Sequence, residues 1–154
     1  MPISVVTSEA VNFVISTIII LGFVIFGGLG ITKYIVFYPI ILTVQYFLVL
    51  GIGFIISSIT VYLRDIQHFI GVLLQLLFYA APVVYSANTI PEDFKWILKY
   101  NPMTYIINAY RDIFFEQVKP DLGGLANLFL ISIAICIIGR LIFNKLQKGF
   151  AEQL

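Results

Sequence analysis

Long stretches without a charged residue dominate this chain and limit what it can fold into. Four such windows follow one another, at 10–32, 34–63, 66–91 and 122–139. Each exceeds the roughly 17 residues that an α-helix needs to span the hydrocarbon core of a bilayer. A charged side chain at the bilayer centre costs about 2.5 to 3.5 kcal/mol, so charges mark the ends of membrane segments. The pattern predicts four transmembrane crossings.

Composition supports a membrane protein and excludes several other classes. Hydrophobic residues make up 60% of the 154 and charged residues 11%, with a net charge of +1, whereas soluble domains carry about 25% charge. No basic field favours nucleic acid as a partner. Strands of a membrane barrel would alternate polar and apolar residues, which these windows do not. The sequence predicts an all-α integral membrane protein, a single domain over 1–154, with transmembrane helices at about 10–31, 39–63, 66–86 and 122–142.

A few small and polar residues inside these segments suggest contacts between helices. Gly53 and Ser57 form a small-xxx-small pair that permits close approach of another helix, although an ordinary glycine-tolerant membrane helix explains it equally well. Gln45 and Gln75 invite hydrogen bonds between helices, worth about 0.6 to 2 kcal/mol each. The single cysteine, Cys136, is expected to pack as a small hydrophobe.

The charged pair Arg64 and Asp65 stands between the second and third windows. The simplest interpretation is a turn at the membrane surface, where both charges reach water or headgroups. Because the next helix begins at once with Gln67 and His68, the turn forms a rigid polar elbow that a soluble partner can grip. His68, the only histidine, is interpreted as an interface residue rather than a catalyst.

Most of the remaining charge lies between the third and fourth segments. A helix is predicted over about 90–100, because Pro91 stands early in it and its charges follow the polarity of the helix dipole. Asn101 and Pro102 then end this helix and begin another, over about 102–117.

The second of these helices carries an apolar stripe at helical spacing. Its members are Met103, Ile106, Ile107, Tyr110, Ile113, Phe114 and Gln117, while Thr104, Asn108, Arg111, Asp112 and Glu116 fall elsewhere. Aromatic residues of the kind enriched at membrane interfaces accompany it, namely Trp96, Tyr100, Tyr105 and Tyr110. We therefore expect two short amphipathic helices that lie in, or dip into, one membrane face, although a capping hairpin without mechanism is an alternative.

Orientation follows weakly from the basic residues. Four crossings place both termini on one side, and Arg140, Lys145 and Lys148 near the C-terminal end favour a cytoplasmic location for them. With that choice four basic residues lie inside and five outside, so the count alone does not decide. The prediction is a multi-pass protein with both termini in the cytoplasm.

Residue constellations for catalysis are missing from the sequence. It contains no G-x-x-x-x-G-K-[ST] loop for ATP, no G-x-S-x-G elbow and no zinc-ligand spacing. The membrane-buried charges typical of proton relays are also missing, which argues against an autonomous secondary transporter. The expectation is a non-enzyme without a cofactor of its own, which takes its energy from another chain.

Four fragments in order resemble a known family over about 90 residues, from Val61 to Leu154. They are "VYLRDIQHF", "LLFYAAPVVYS", "IPEDFKWILKYNPMTYIINAYRDIFF" and "GRLIFNKLQKGFAEQL" after the last window. The chain resembles the permeases of ABC transporters that export polysaccharides, lipopolysaccharide O-antigen or teichoic-acid chains. The resemblance implies six spans, a permease dimer and two cytoplasmic ATPase subunits that bind ATP and Mg²⁺. The opening "MPISVVTSEAVNFVIS" resembles the family's stretch before its third span, so we expect a C-terminal portion of such a permease.

The resemblance also implies roles for particular residues. The elbow of Arg64, Asp65, Gln67 and His68 corresponds to the connection that touches the ATPase. The outer-face helices, thought to gate the exit of the sugar channel, contribute Pro91, Trp96, Asn101, Pro102, Tyr105, Tyr110 and Arg111. Possible residues of the translocation path are Phe78, Tyr79 and Tyr85, because sugar rings stack on aromatic side chains; packing or lipid contact is the competing interpretation for each.

The functional prediction is the permease subunit of an ATP-driven exporter of polysaccharide or lipid-linked glycopolymer in the inner (cytoplasmic) membrane. Its expected partners are a cytoplasmic ABC ATPase, a second permease copy, the bilayer and the glycopolymer. Alternatives are a related exporter of drugs or lipids and a non-transporting membrane remnant. An enzyme acting on polyprenyl-linked sugars is disfavoured by the missing acid and histidine constellations.

Overall fold

Helices account for all regular structure in the part of the chain that the computed structural model describes, which comprises residues 2–28, 30, 32–62, 66–79, 81 and 101–150. The α-helices are α1 (Pro2–Phe26), α2 (Tyr38–Tyr62), α3 (Ile66–Tyr79), α4 (Pro102–Arg111) and α5 (Leu122–Phe150). A 3₁₀ helix, Lys33–Phe37, leads into α2, and a π-helical turn, Asp112–Glu116, follows α4. The all-α class expected from the sequence is confirmed for these residues.

Three of the described helices are long and apolar enough to cross a membrane: Pro2–Phe26, Lys33–Thr60 and Leu122–Leu146. The shorter apolar helix α3 has 14 residues and covers the first part of the segment predicted at 66–86. The remainder of that segment, and the helix predicted at 90–100, lie outside the described residues.

Helix α1 begins earlier and ends earlier than the membrane segment predicted at 10–31. It starts at Pro2 and includes Glu9. A charged side chain limits how deep its residue sits in lipid, but it does not break the backbone hydrogen bonds that continue the helix. Its C-terminal end is set by Gly28, which has a positive φ of 82° after Gly27 donates its N–H to the carbonyl of Phe23. A left-handed glycine is a common helix stop.

The long helices pack with defined directions. Contacts between Thr7 and Tyr46 and between Thr17 and Tyr38 show that α1 runs antiparallel to α2. Ring contacts of Phe47 with Phe129 and of Phe54 with Phe143 show that α2 and α5 run parallel.

This parallel packing constrains the connection from Tyr62 to Leu122. Since α2 and α5 are each long enough to cross the membrane in the same direction, the chain between them must return to the opposite membrane face. Helix α3 is the first described part of this connection, and the crossing predicted at 66–86 stays a prediction.

The contact between α2 and α5 is closest at two glycines. A Cβ placed on Gly51 would stand 2.7 Å from the backbone nitrogen of Cys136, and one on Gly139 would stand 2.7 Å from the carbonyl oxygen of Gly51. By contrast, a Cβ on Gly53 would meet Val6 of α1 at an ordinary 3.6 Å. The small residue at which α5 comes closest to α2 is therefore Gly51. Cys136 packs against the neighbouring apolar cluster, as its sequence context suggested.

Nearer the start of α2 and α5 than this contact lies a hydrophobic core to which three helices and the π turn contribute. Its buried residues are Ile41, Val44 and Leu48 of α2, Ile106 and Ala109 of α4, Ile113 and Phe114 of the π turn, and Leu125 and Leu128 of α5. Large apolar side chains on α1, α3 and α5 remain exposed, among them Phe23, Leu76 and Leu130. Exposed apolar faces of this extent are expected where helices contact lipid.

The first turn of α5 is capped by Asp121. Its Oδ1 accepts hydrogen bonds from the backbone N–H groups of Gly123 and Gly124, at 3.0 and 3.1 Å. We expect Asp121→Ala to destabilise the protein by about 0.5 to 2 kcal/mol, because two N–H groups lose their acceptor. Asp121→Asn keeps the acceptor and should lose only a fraction of this. Thermal unfolding of the two variants in detergent measures the difference, and equal unfolding temperatures for Asp121→Ala and wild type would contradict the capping role.

Candidate functional site

Helix α4 runs into the bundle beside α2, in the opposite direction. At its far end the Phe114 ring lies 6.0 Å from that of Tyr38, and at its start Pro102 shares a cavity lining with Leu48. Tyr38 and Leu48 are about 15 Å apart along an α-helix. The hydrocarbon core is about 30 Å thick. Measured along α2, the start of α4 therefore lies about half the thickness of a hydrocarbon core from Tyr38.

Helix α4 packs against both α2 and α5. Such packing is expected of a helix that dips into a membrane face rather than one that lies on it, and the membrane position itself stays a prediction. One detail of the predicted stripe was wrong: Thr104 was expected away from the apolar face, yet it is buried together with Ala109. The physical reason is that a helix enclosed on two sides buries a wider sector than one lying on a surface.

Tyr110 links α4 to the long helices through a hydrogen bond and three ring contacts. Its hydroxyl donates to Oε1 of Gln45 at 2.8 Å, so the inter-helix bond expected of Gln45 is confirmed and its partner identified. The Tyr110 ring lies 5.5 Å from Phe13 and 5.8 Å from Tyr38, and it stacks on Phe114 at 6.1 Å. Four elements meet at this cluster, whereas Gln75 is exposed on α3.

The start of α4 carries buried polar atoms. Asn101 caps the helix, since its Oδ1 accepts from the N–H of Met103 at 3.0 Å, and Pro102 follows at the first helical position. Within the described part of the chain, Nδ2 of Asn101 and Oγ1 of Thr104 are buried without a hydrogen-bond partner. The described geometry therefore leaves two buried polar atoms without a partner at the start of α4.

The opposite end of α4 is acidic and close to the predicted membrane surface. The π turn ends at Gln117, whose φ of 56° is left-handed. Partial burial, together with the nearby carboxylate of Glu116, raises the pKa of the Asp112 carboxyl, while Arg111 acts in the opposite direction. Two predicted gate residues lie on α4: Arg111 is half-buried and Tyr105 is exposed.

The predicted elbow is only partly within the described residues. Helix α2 ends at Tyr62 and α3 begins at Ile66, and Gln67 and His68 are exposed on the first turn of α3. Arg64 and Asp65 lie outside the described residues.

The predicted path residues and the first gate helix are likewise divided. Phe78 and Tyr79 are exposed near the end of α3, with their rings edge to face at 5.7 Å. Tyr85, Pro91 and Trp96 fall outside the described residues. Among the residues that are described, no three His, Cys, Asp or Glu side chains lie together as metal ligands would.

Sequence reasoning missed a polar groove between α1 and α2. A cavity of about 350 Å³ lies there, with Glu9, Asn12 and Ser16 on one wall and Gln45 and Tyr46 on the other. The signal was present in the spacing, since positions 9, 12 and 16 fall on one face of a helix. The charge of Glu9 places it just outside the first charge-free window, which begins at residue 10, so the window alone does not show this face.

Comparisons with known proteins agree with this architecture. A family model described as ABC-2 type transporter matches residues 3–115. Two O-antigen export system permease proteins RfbA of Klebsiella pneumoniae are 32% and 30% identical over 154 residues, covering 99% of this chain and 59% of theirs. An O-antigen export system permease protein RfbA of Myxococcus xanthus is 32% identical over 156 residues, covering 100% of this chain and 60% of that protein.

The chain spans about three fifths of the length of these curated relatives. The family match nevertheless extends from α1 through α4 and most of the π turn, and so includes the elements that meet at Tyr110. Long apolar helices that pack through glycines, with a short helix inserted beside them, are the framework of a multi-pass membrane protein. The chain belongs to the ABC-2 type transporter family of membrane permeases.

Proposed function

We propose that this chain forms the C-terminal part of the permease of an ATP-driven exporter of polysaccharide or lipid-linked glycopolymer across the cytoplasmic membrane. The observation that carries the proposal is the match of essentially the whole chain to permeases named for O-antigen export. The sequence fragments around the elbow and the outer helices point to the same class of exporter.

The packing suggests how such a permease transmits force. Helix α3 contacts α2 only lightly and carries Gln67 and His68 in its exposed first turn. A push on this turn from the cytoplasm tilts α3 against α2 without disrupting the tight contact of Gly51 with α5. Helix α4 is held beside α2 by the Gln45–Tyr110 hydrogen bond, a ring cluster and the buried side chains of Ile106 and Ala109. Its displacement opens the outer half of the bundle.

The partners follow from this mechanism. A cytoplasmic ABC ATPase binds ATP and Mg²⁺ and docks at the elbow, and a second permease copy completes the pathway. Both termini face the cytoplasm in this arrangement, which places Arg140 and Lys145 near the cytoplasmic end of α5 and the start of α4 in the outer half of the membrane.

Charge reversal at the elbow tests the coupling. With Arg64→Glu and Asp65→Lys in the complete transporter, we expect the amount of co-purified ATPase to fall about tenfold or more, since reversed charges repel at a docked interface. Lys119→Glu, an exposed charge in the linker before α5, is the matched control and should leave the ATPase bound. Unchanged binding after both elbow reversals would overturn the proposed docking site.

Transport itself is measured as ATP-dependent uptake of substrate into inverted vesicles that contain the complete transporter, because their lumen corresponds to the outside of the cell. We expect ATP-dependent movement of a radiolabelled lipid-linked glycan and none of a hydrophobic dye. Movement of the dye alone would indicate a drug or lipid exporter of the same family and contradict the proposed substrate class.

A further inference from the structure

The groove between α1 and α2 places polar side chains where lipid would be expected. Tyr46 donates to or accepts from Thr7 at 3.0 Å, and Gln45 lies one residue before it, so Glu9 sits at the level of Gln45 within the span Lys33–Thr60. An acidic side chain at the bilayer centre costs about 2.5 to 3.5 kcal/mol when it faces lipid. Ionisable residues at such positions are functional candidates for this reason.

Two polar groups on the α2 wall of the groove, those of Gln45 and Tyr46, are held in place by hydrogen bonds, whereas Glu9 and Asn12 on the α1 wall are exposed. Oε1 of Gln45 accepts a hydrogen bond from the hydroxyl of Tyr110. The amide N–H₂ of Gln45 is the part of this side chain that can donate to a ligand. The hydroxyl of Tyr46 is positioned by Thr7, whose own hydroxyl donates to the carbonyl of Ile3. Binding groups fixed by neighbouring hydrogen bonds lose little conformational freedom when a ligand arrives.

The chemistry of the lining selects the kind of ligand. Of the described side chains that line the groove, Glu9 alone is charged; Asn12, Ser16, Gln45 and Tyr46 offer amides and hydroxyls, and the remaining residues are apolar. A phosphate group would be repelled by the carboxylate and finds no cation in this lining. Neutral hydroxyls, by contrast, donate to a carboxylate and exchange hydrogen bonds with amides. The volume of about 350 Å³ falls in the range of small-molecule sites, about 300 to 1,000 Å³.

We infer that the groove between α1 and α2 is a binding subsite for the neutral, hydroxyl-rich sugar units of the exported polymer, with Glu9, Asn12 and Gln45 as its hydrogen-bonding groups. The inference rests on the proposed function and adds to it a location on the side of α2 that faces α1. The lipid phosphate of the same substrate binds elsewhere.

Thiol labelling in the complete transporter tests the subsite. In a variant whose native cysteines are serine, including Cys136→Ser, Asn12→Cys is compared with Val11→Cys, the adjacent position, which is exposed but does not line the groove. Only a thiolate in contact with water reacts with a charged methanethiosulfonate, so we expect Asn12→Cys to react about tenfold faster or more. Neutral oligosaccharide released by mild acid from the cells' own lipid-linked glycan, at ten times its dissociation constant, should slow that labelling about tenfold. Inorganic phosphate should not slow it.

The results separate this inference from the proposed function. If wild-type transporter exports the glycan but Asn12→Cys is unreactive, another helix covers the groove and the subsite is refuted. Reactivity without protection by the oligosaccharide refutes it as well, and protection by phosphate alone reverses the assignment of ligand. Glu9→Gln should raise the oligosaccharide concentration needed for half-protection at least several-fold while the ATPase remains bound; loss of assembly instead would indicate a cationic helix partner. If wild type exports no glycan, both proposals fall.

Discussion

Gly51→Ala is expected to destabilise the protein by about 1 to 3 kcal/mol, the usual range for atoms forced into a packed interior. The added Cβ would lie 2.7 Å from the nitrogen and 2.9 Å from the Cα of Cys136. Both are backbone atoms of α5, so no side chain can rotate away and the two helices must separate. Separation weakens the contacts along the α2–α5 pair, including the ring contacts of Phe47 with Phe129 and of Phe54 with Phe143. The measurement is thermal unfolding of the purified transporter in detergent, read as monodisperse protein remaining after heating.

Gly22→Ala is the matched control for this prediction. Gly22 also lies inside a long apolar helix, and a Cβ there meets no atom within 4 Å. Both substitutions gain the same helix propensity, about 0.5 to 1 kcal/mol relative to glycine. Their difference therefore isolates the contact with α5. Gly139→Ala meets the carbonyl of Gly51 from the other side, so its effect and that of Gly51→Ala should not add. Equal unfolding temperatures for Gly51→Ala and Gly22→Ala would show that the helices are not in this close contact.

Element positions along the chain were predictable because one energetic term dominates them. Desolvation of charge confines the apolar windows, and the second predicted segment, 39–63, lies beside the observed helix Tyr38–Tyr62. The start of α5 at Leu122 follows from the same reasoning, since Asp121 caps it. The start of α4 at Pro102 was readable for a different reason, because proline and a capping asparagine favour the beginning of a helix.

The partners of individual side chains were not predictable from the sequence. Gly53 matched a small-xxx-small pattern, but the pattern does not say which glycine meets a backbone, and Gly51 does. Gln45 and Tyr110 are 65 residues apart, so their bond exists only after α4 folds back along α2. The sequence predicts Tyr110 as an aromatic residue at the membrane interface. A phenol suits a hydrogen bond between helices equally well, so the residue type alone does not distinguish the two positions. Glu9 lies outside the first charge-free window, but the backbone of α1 continues through it as helix, so the window does not mark the start of the helix.

These observations give the two sides of α2 different roles. The face that meets α5 packs backbone to backbone at Gly51 and Gly139. The other side, which meets α1 and α4, contains the polar groove, the Gln45–Tyr110 bond and the ring cluster. Polar contacts of this kind are worth little individually in a membrane. Helix α4 also contributes Ile106 and Ala109 to the core, but its contact with α2 is much shorter than that of α5. A displacement of α4 therefore separates less packed surface than a displacement of α5.

Tyr110→Ala is expected to loosen α4 from the bundle and to cost about 3 kcal/mol of stability, the lower end of the range for large aromatic side chains in a core, because Tyr110 is only partly buried. The change removes the bond to Gln45 and the ring contacts with Phe13, Tyr38 and Phe114 at once. Tyr110→Phe keeps the ring contacts and should cost only about 0.6 to 2 kcal/mol, the worth of one hydrogen bond between membrane helices. Thermal unfolding of both variants separates the two contributions.

A double-mutant cycle and a control on the same helix complete the test. Tyr110→Phe combined with Gln45→Leu should cost less than the sum of the single changes, because both remove the same bond. Tyr105→Ala alters a tyrosine of α4 that is 36% exposed, and it should change stability much less than Tyr110→Ala. If the two alanine variants unfold alike, or if the effects of Tyr110→Phe and Gln45→Leu simply add, the hydrogen bond does not hold α4 in place. If the coupling is present, Tyr110→Phe should also change the rate of ATP-dependent glycan export without reducing the amount of bound ATPase, because the gate lies on the far side of the membrane from the elbow.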